Sequence, residues 1–262
     1  MRAPILSLLF PLALAACKPP PEAPEDLYEL AAYLYGHAWD EEQEALLVGL
    51  EQLTTWLEAN EEAALEGYGV GSLSEETMDA VDDEDRTTVE MVGLSLTRLS
   101  HHPVEDSAWA LVDVDQSEIF PGTFAEYERE YISGPDCFVD LSCDRMEAIE
   151  ELHSTFPLGL ETWSTAFNQY AWAEMDSGTA MVHRNWQVDP PETSSDLMSV
   201  DEQAYLNLFV PGSEGAWRLQ AQWTVYSDEN NTPEDLAMSL VLGFFEDCHT
   251  DLEAWLDENN AP

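Results

Sequence analysis

Six histidines and four cysteines are the residues of this chain best equipped for metal ligation or nucleophilic chemistry, and their spacing decides how much of either they could do. The histidines are His37, His101, His102, His153, His183 and His249; only His101 and His102 are neighbours, and no pair has the i, i+4 spacing of an H-E-x-x-H zinc helix. The pair reads as solvated turn residues, and no metal centre is expected. Cys248 directly precedes His249. Adjacent side chains on a helix point about 100° apart, so the two do not make a thiol–imidazole couple. Asp and Glu together number 54, so paired carboxylates arise by chance anywhere and nominate no acid–base pair. Asp113-Val114-Asp115-Gln116-Ser117-Glu118 opens like a calcium loop, but Glu118 stands at the glycine position and Phe124 at the bidentate carboxylate. Only weak Ca²⁺ or Mg²⁺ binding by the acidic surface is expected. Gly67-Tyr68-Gly69-Val70-Gly71 lacks a following lysine, which leaves turn flexibility as its use. With no G-x-S-x-G, Walker or Rossmann pattern, the reading is a chain with no catalytic residue and no cofactor.

Charge narrows the partners. Eight Lys and Arg against 54 Asp and Glu give a formal charge of −46. Counterion release needs basic side chains to meet phosphates, so nucleic acid is set aside as a partner. Hydrophobic residues make up 45% and charged residues 24%, proportions of a globular chain that can bury a core despite its acidity.

The N-terminus carries an address. Arg2, an apolar run through Leu14 and then small residues have the layout of a secretory signal peptide, residues 1–16. The run is too short to span a bilayer and holds Pro11. Leu14-Ala15-Ala16-Cys17 resembles the lipobox of bacterial lipoprotein precursors, which implies acylation of Cys17 and cleavage before it. The implied partner is a membrane, reached through acylated Cys17. By the same resemblance, Lys18 rather than Asp after the cysteine points to the outer membrane of a bacterial envelope. Residues 17–24, rich in proline, read as an extended polyproline tether. Cys137, Cys143 and Cys248 then remain in an oxidising compartment, an odd count that allows one disulfide. Cys137 with Cys143 closes a small loop and is favoured; Cys248 pairing with either stays open.

The elements that must position these groups follow from periodicity. Residues 25–66 repeat Leu at three and four and read as a helical hairpin, with Asp40 as the second helix's N-cap. Residues 67–86 read as an acidic linker, and 87–99 as a strand. Pro103-Val104-Glu105 starts a short helix, and Asp144–His153 reads as another. Asp176-Ser177-Gly178 and the segment 211–215 mark two β-hairpins. In the last strand Trp217, Leu219, Ala221, Trp223 and Val225 share one face, which must be covered. Thr232-Pro233-Glu234-Asp235 opens a long final helix with Leu236, Leu240, Phe244, Cys248, Leu252 and Trp255 along it, and this helix is the expected cover.

This order of elements, with Pro103-Val104-Glu105, Trp109-Ala110-Leu111-Val112, Asp113-Val114-Asp115, the strand from Trp217 to Tyr226 and Thr232-Pro233, resembles the START-like superfamily of polyketide cyclase and lipid-transfer domains over residues 87–258. The resemblance implies an α+β helix-grip fold: an antiparallel sheet wrapped on the long C-terminal helix, enclosing an apolar cavity for a hydrophobic ligand. Trp109, Trp217, Leu219, Trp223, Leu240 and Phe244 are the candidate cavity lining. Two functions follow as expectations. A non-catalytic envelope lipoprotein carrying a hydrophobic small molecule or lipid requires an enclosed apolar cavity above about 300 Å³. A structural or assembly lipoprotein docking a basic envelope protein requires a filled core and an exposed apolar patch on the hairpin.

Overall fold

The computed structural model describes residues 20–79, 81, 91–156, 160–194, 198–228 and 234–259 of the 262-residue chain. The signal peptide, residues 17–19 of the tether with Cys17 among them, residues 82–90 and Thr232-Pro233 lie outside the described residues.

The N-terminal helices form where the leucine spacing places them. Helix α1 (Leu27–His37) is capped by Asp26, whose carboxylate accepts from the Glu29 backbone N–H at 3.1 Å. Helix α2 (Glu44–Ala59) begins later than expected. Asp40 is not its cap; it accepts instead from His37 Nδ1 at 2.6 Å, in the turn between the helices. A short α3 (Glu61–Ala64) follows. The expected linker then contributes structure of its own: β1 (Tyr68–Val70) and α4 (Glu75–Asp79). Strand β1 pairs antiparallel with β2 (Val92–Ser100), which puts the glycine-rich segment on the sheet edge. Gly93, opposite Val70, is required there because a Cβ would stand 2.6 Å from the Trp223 indole nitrogen.

Helix α5 (Val104–Asp113) starts at Pro103, as the sequence predicts, and α6 (Gln116–Ile119) is capped by Asp115 accepting from Ser117 N at 2.8 Å. The aspartates that look like a calcium loop thus serve a helix start. Strand β3 (Phe124–Tyr131) leads through α7 (Pro135–Val139) to β4 (Arg145–Phe156). The helix expected over Asp144–His153 is therefore a strand. Its glutamates favour helix by propensity, but pairing with β3 on one side and β5 on the other overrides it, and Met146, Ala148 and Glu150 alternate inward with period two.

Hairpins complete the sheet. Strands β5 (Leu160–Met175) and β6 (Gly178–Gln187) meet at the Asp176-Ser177 turn. After the two-residue β7 (Glu192–Thr193), β8 (Met198–Gly212) and β9 (Gly215–Asp228) form the second hairpin. Helix α8 (Glu234–Asn259) closes the described chain. Among the described residues the antiparallel order is β1-β2-β9-β8-β6-β5-β4-β3, with β7 pairing β5 off that path. This is the α+β arrangement of a helix-grip fold, an antiparallel sheet wrapped on a long C-terminal helix. No described helix is long and apolar enough to cross a membrane.

The sheet is covered on both faces, by different partners. Trp217, Leu219, Ala221 and Trp223 of β9, with Leu206 and Leu208 of β8, share one core with Leu27, Leu30, Leu34, Leu50, Leu53 and Leu57 of α1 and α2. Each of those leucines contributes about 1.5–3 kcal/mol by leaving water. The Trp223 indole N–H also donates to Gly71 O at 2.7 Å. The hairpin's apolar stripe is thus consumed inside the fold, so the exposed patch that an assembly role would need on it is not there. Arg145 of β4 fastens the turn of the hairpin, donating to Trp39 O and Asp40 O and standing 4.8 Å from the Trp39 ring centroid. A second core, on the opposite face, joins α5, α6, α7 and α8 to Tyr170, Trp172, Met181 and Phe209.

Candidate functional site

Where the side chains of β4, β5, β6, β8 and β9 point toward α8, they are mostly polar. The registers align Tyr170, His183, Asn207 and Gln220 in one cross-strand row, and Asn168, Asn185, Tyr205 and Gln222 in the next. Tyr170, His183, Asn207, Asn185, Tyr205 and Gln222 of these rows, with Phe120 just after α6, Phe124 of β3, Leu152 of β4 and Phe244 of α8, bound a cavity of about 160 Å³. Its volume is below the roughly 300 Å³ typical of a pocket for a drug-sized ligand, and its wall on the sheet side carries polar side chains rather than the tryptophans expected there.

Of the six candidate lining residues, only Phe244 belongs to this wall. Trp217, Leu219 and Trp223 lie on the far face of the sheet, under α1 and α2. Their alternation is as predicted, but the cover is the N-terminal hairpin rather than α8. Trp109 packs against Trp255 with ring centroids 5.2 Å apart, between α5 and α8, and Leu240 is half-buried on α8 without reaching the wall. Among the described side chains the buried stripe of α8 is Phe245, Cys248, His249, Leu252 and Leu256, which keeps Cys248 and Leu252 of the expected stripe and has Phe245 and Leu256 beside it in place of Phe244 and Trp255.

Two guanidinium groups enter the chamber, and they are balanced differently. Arg129 is paired: its Nε donates to Glu150 Oε1 at 2.9 Å and its Nη2 lies 2.8 Å from the same oxygen. Tyr127 Oη donates to that carboxylate at 2.6 Å, and Arg129 also donates to the carbonyls of Leu111 and Val112, which end α5. Burial, followed by the Glu150 charge, holds the phenols of Tyr127 and Tyr170 far above their ordinary range. Arg218 is 2% exposed, and its hydrogen-bond acceptors are neutral: Asn207 Oδ1 at 3.1 Å from Nε and Cys248 O at 3.0 Å from Nη1. Among the described residues it has no carboxylate within ion-pair distance, whereas Arg98 has Glu246 and Arg129 has Glu150.

The remaining titratable groups are neutral near pH 7. His183 stacks on Tyr170 with centroids 4.1 Å apart and 2° between planes, and its Nε2 bonds Asn168 Oδ1 at 2.8 Å. Asn168 presents its oxygen to the imidazole because its amide N–H donates to Ala166 O, so Nε2 carries the proton and Nδ1 is a buried acceptor without a hydrogen bond. Burial, with Arg129 and Arg218 nearby, pulls His183 down to about 3. Burial pushes the Cys248 thiol and the Tyr205 phenol each up to about 12. Cys248 is free and buried, and Cys137 is bonded to Cys143 across the turn between α7 and β4.

The polar wall of the chamber was not foreseen because alternation on β9 reads the same whether its polar half meets water or a cavity. A signal was available in residue type. Among 54 acids, the α8-facing positions His183, Asn185 and Gln187 of β6, Asn207 of β8 and Arg218, Gln220 and Gln222 of β9 include no carboxylate, while exposed positions of β3 are Glu126, Glu128 and Glu130. A strand face that avoids the chain's commonest polar residues is not a solvent face.

Several solved structures have a partial likeness to the chain. The chain is similar to the STAR-related lipid transfer protein (fragment 25-204) from Xanthomonas axonopodis, with 13% identity over 66% of this chain and 89% of that one and a TM-score of 0.43. It is similar to the Zhui aromatase/cyclase from Streptomyces sp. R1128 at 15% identity, covering 64% and 93% with a TM-score of 0.41. Human STARD10 gives 12% identity, 68% and 69% coverage and a TM-score of 0.39. No protein-family model matches the chain, and no curated protein matches it in sequence.

Proposed function

We propose that this protein binds a small amphipathic acid in the chamber under α8, without converting it, and presents the domain from a bacterial envelope membrane through acylated Cys17. The observation that carries the ligand class is Arg218. A buried guanidinium whose acceptors are all neutral costs several kcal/mol of desolvation, and a bound carboxylate would offset it. The Phe120, Phe124 and Phe244 side chains offer the apolar body of such a ligand its contacts, and the cavity volume of about 160 Å³ favours a short body over a long acyl chain.

Binding is favoured over catalysis because His183, Cys248 and Tyr205 all titrate far from pH 7 and stay neutral there. A base pulled down to about 3 and acids pushed up to about 12 neither accept nor donate protons readily at pH 7. The signal at 1–16, the tether at 17–24, the hairpin at 25–66, the segment 67–86 and the START-like region 87–258 complete the reading as one anchored protein.

Native mass spectrometry of the mature chain, with Cys17 replaced and the protein exported in a bacterial host, tests the ligand. The expected result is a discrete extra mass that leaves on denaturation and is lost in Arg218→Gln. A bare polypeptide mass, or equal retention by the variant, contradicts the reading. For the anchor, Cys17→Ser is expected to move the full precursor's product from the membrane fraction to the soluble one; retention with the membrane would overturn the lipobox assignment.

A further inference from the structure

Away from the chamber, two histidines that look like turn residues in sequence meet the end of α8. Ser100 ends β2, and His101 and His102 follow it into the turn before α5. Glu253 and Asp257 lie four apart on α8 and so share one face of that helix. Between these elements His101 Nδ1 stands 2.7 Å from Glu253 Oε2, and His101 Nε2 stands 2.7 Å from Asp257 Oδ1. His102 Nε2 lies 3.3 Å from the same Asp257 oxygen, is buried, and makes no hydrogen bond. One donor atom from each of His101, His102 and Asp257 falls within 4.8 Å of the others.

We propose that His101 Nε2, His102 Nε2 and the Asp257 carboxylate bind a divalent transition metal, Zn²⁺ foremost. Two imidazoles and a carboxylate suit that ion, and ligand atoms at about 2.0–2.2 Å from a tetrahedral Zn²⁺ stand about 3.4 Å from one another. The His102–Asp257 separation is already there; His101 has to open slightly as the metal enters. Glu253 is a positioning residue. Its carboxylate takes the His101 Nδ1 proton in a hydrogen bond, which leaves the Nε2 lone pair for the metal, the usual second partner of a zinc-bound imidazole. Glu253 is itself held in place, accepting from Ser100 Oγ at 2.5 Å and from the His101 backbone N–H at 3.3 Å. Three protein ligands leave a fourth position to water.

The site joins the β2–α5 corner to the last turns of α8, which are about 155 residues apart in the chain. Because α8 roofs the chamber, the metal acts as a clasp on that roof. This inference stands apart from the ligand proposal: the site can bind metal whether or not the chamber binds an acid.

Zn²⁺ titration of the whole mature chain by calorimetry tests it, in excess Ca²⁺ so that surface carboxylates are already occupied. The expected result is one equivalent of Zn²⁺ and a raised melting temperature, with affinity reduced at least tenfold in His102→Ala and in Asp257→Asn. Glu253→Gln is expected to weaken binding about 10-fold or more while keeping the stoichiometry. Co²⁺ gives a reading independent of stability, because a tetrahedral site produces a strong visible absorption that His101→Ala and His102→Ala should abolish even if they melt lower. Absence of Zn²⁺ binding in excess Ca²⁺, or equal affinity and an equal Co²⁺ spectrum in the His101→Ala/His102→Ala double variant, would overturn the assignment.

Discussion

The two faces of β9 carry the same alternation and do opposite work. Toward α1 and α2 the strand offers Trp217, Leu219, Ala221 and Trp223, which pack against the leucines of the hairpin. Toward α8 it offers Arg218, Gln220 and Gln222, and that side leaves a cavity. Stability therefore concentrates on the hairpin face and ligand chemistry on the α8 face. An apolar surface closes by displacing water with no geometric demand, whereas amides and a guanidinium must each be matched. Asn207, Tyr205 and Asn168 meet part of that demand, leaving His183 Nδ1 and the charge of Arg218 open.

The division predicts where mutation hurts. The largest effect should come from Trp223→Ala, which empties a fully buried site on the hairpin face and removes the hydrogen bond to Gly71: about 3–5 kcal/mol by denaturant unfolding, with no change in ligand preference. A loss below about 1 kcal/mol would mean that the hairpin packs loosely. Glu150→Gln breaks the division from the other side. It leaves Arg129 without its carboxylate and should cost a similar or slightly smaller amount, about 3 kcal/mol, because removing one partner strands a buried charge. Should that variant unfold like wild type, the Arg129 pair would not be structural.

Next is a pH effect, about 3 kcal/mol over the range from pH 7 to 4. His183 has a folded pKa of about 3 against an ordinary 6.5, so the unfolded chain takes up a proton between those values that the folded chain does not. Its contribution is present above pH 6.5 and is lost as pH falls toward 3, roughly 5 kcal/mol at the limit. Denaturation midpoints measured from pH 7 to 4 should fall less steeply in His183→Gln than in wild type. His249, held at about 4 chiefly by burial, keeps some slope in the variant. Identical slopes would mean that the imidazole is accessible to protons in the folded state. The smallest effect sharpens the boundary of the wall: Leu240→Ala should cost about 1 kcal/mol or less and leave binding untouched, while Phe244→Ala weakens binding. Calorimetry on both variants separates them, and equal losses would extend the chamber along α8.

Much of the fold was legible because its local signals agreed. Leucine periodicity marked α1 and α2, Pro103 marked the start of α5, and Asp176-Ser177-Gly178 marked the β5–β6 turn. The strand β4 was not legible, since its glutamates favour helix and only its two neighbours in the sheet decide otherwise. Nor was the assignment of covers. Periodicity says that a face is buried but not by what, and two apolar helical segments competed for the tryptophan face of β9. The metal cluster was illegible for a simpler reason: His101 and Asp257 meet only after the chain has folded.

The central claim is that Arg218 makes the chamber a site for an acid. Octanoate and 1-octanol differ in the group that would meet it, so their affinities for the mature wild-type chain and for Arg218→Gln test it directly. The account predicts at least tenfold tighter binding of octanoate than of octanol to wild type, and loss of that advantage in the variant. Equal affinities in wild type, or an octanoate preference that survives Arg218→Gln, would contradict it.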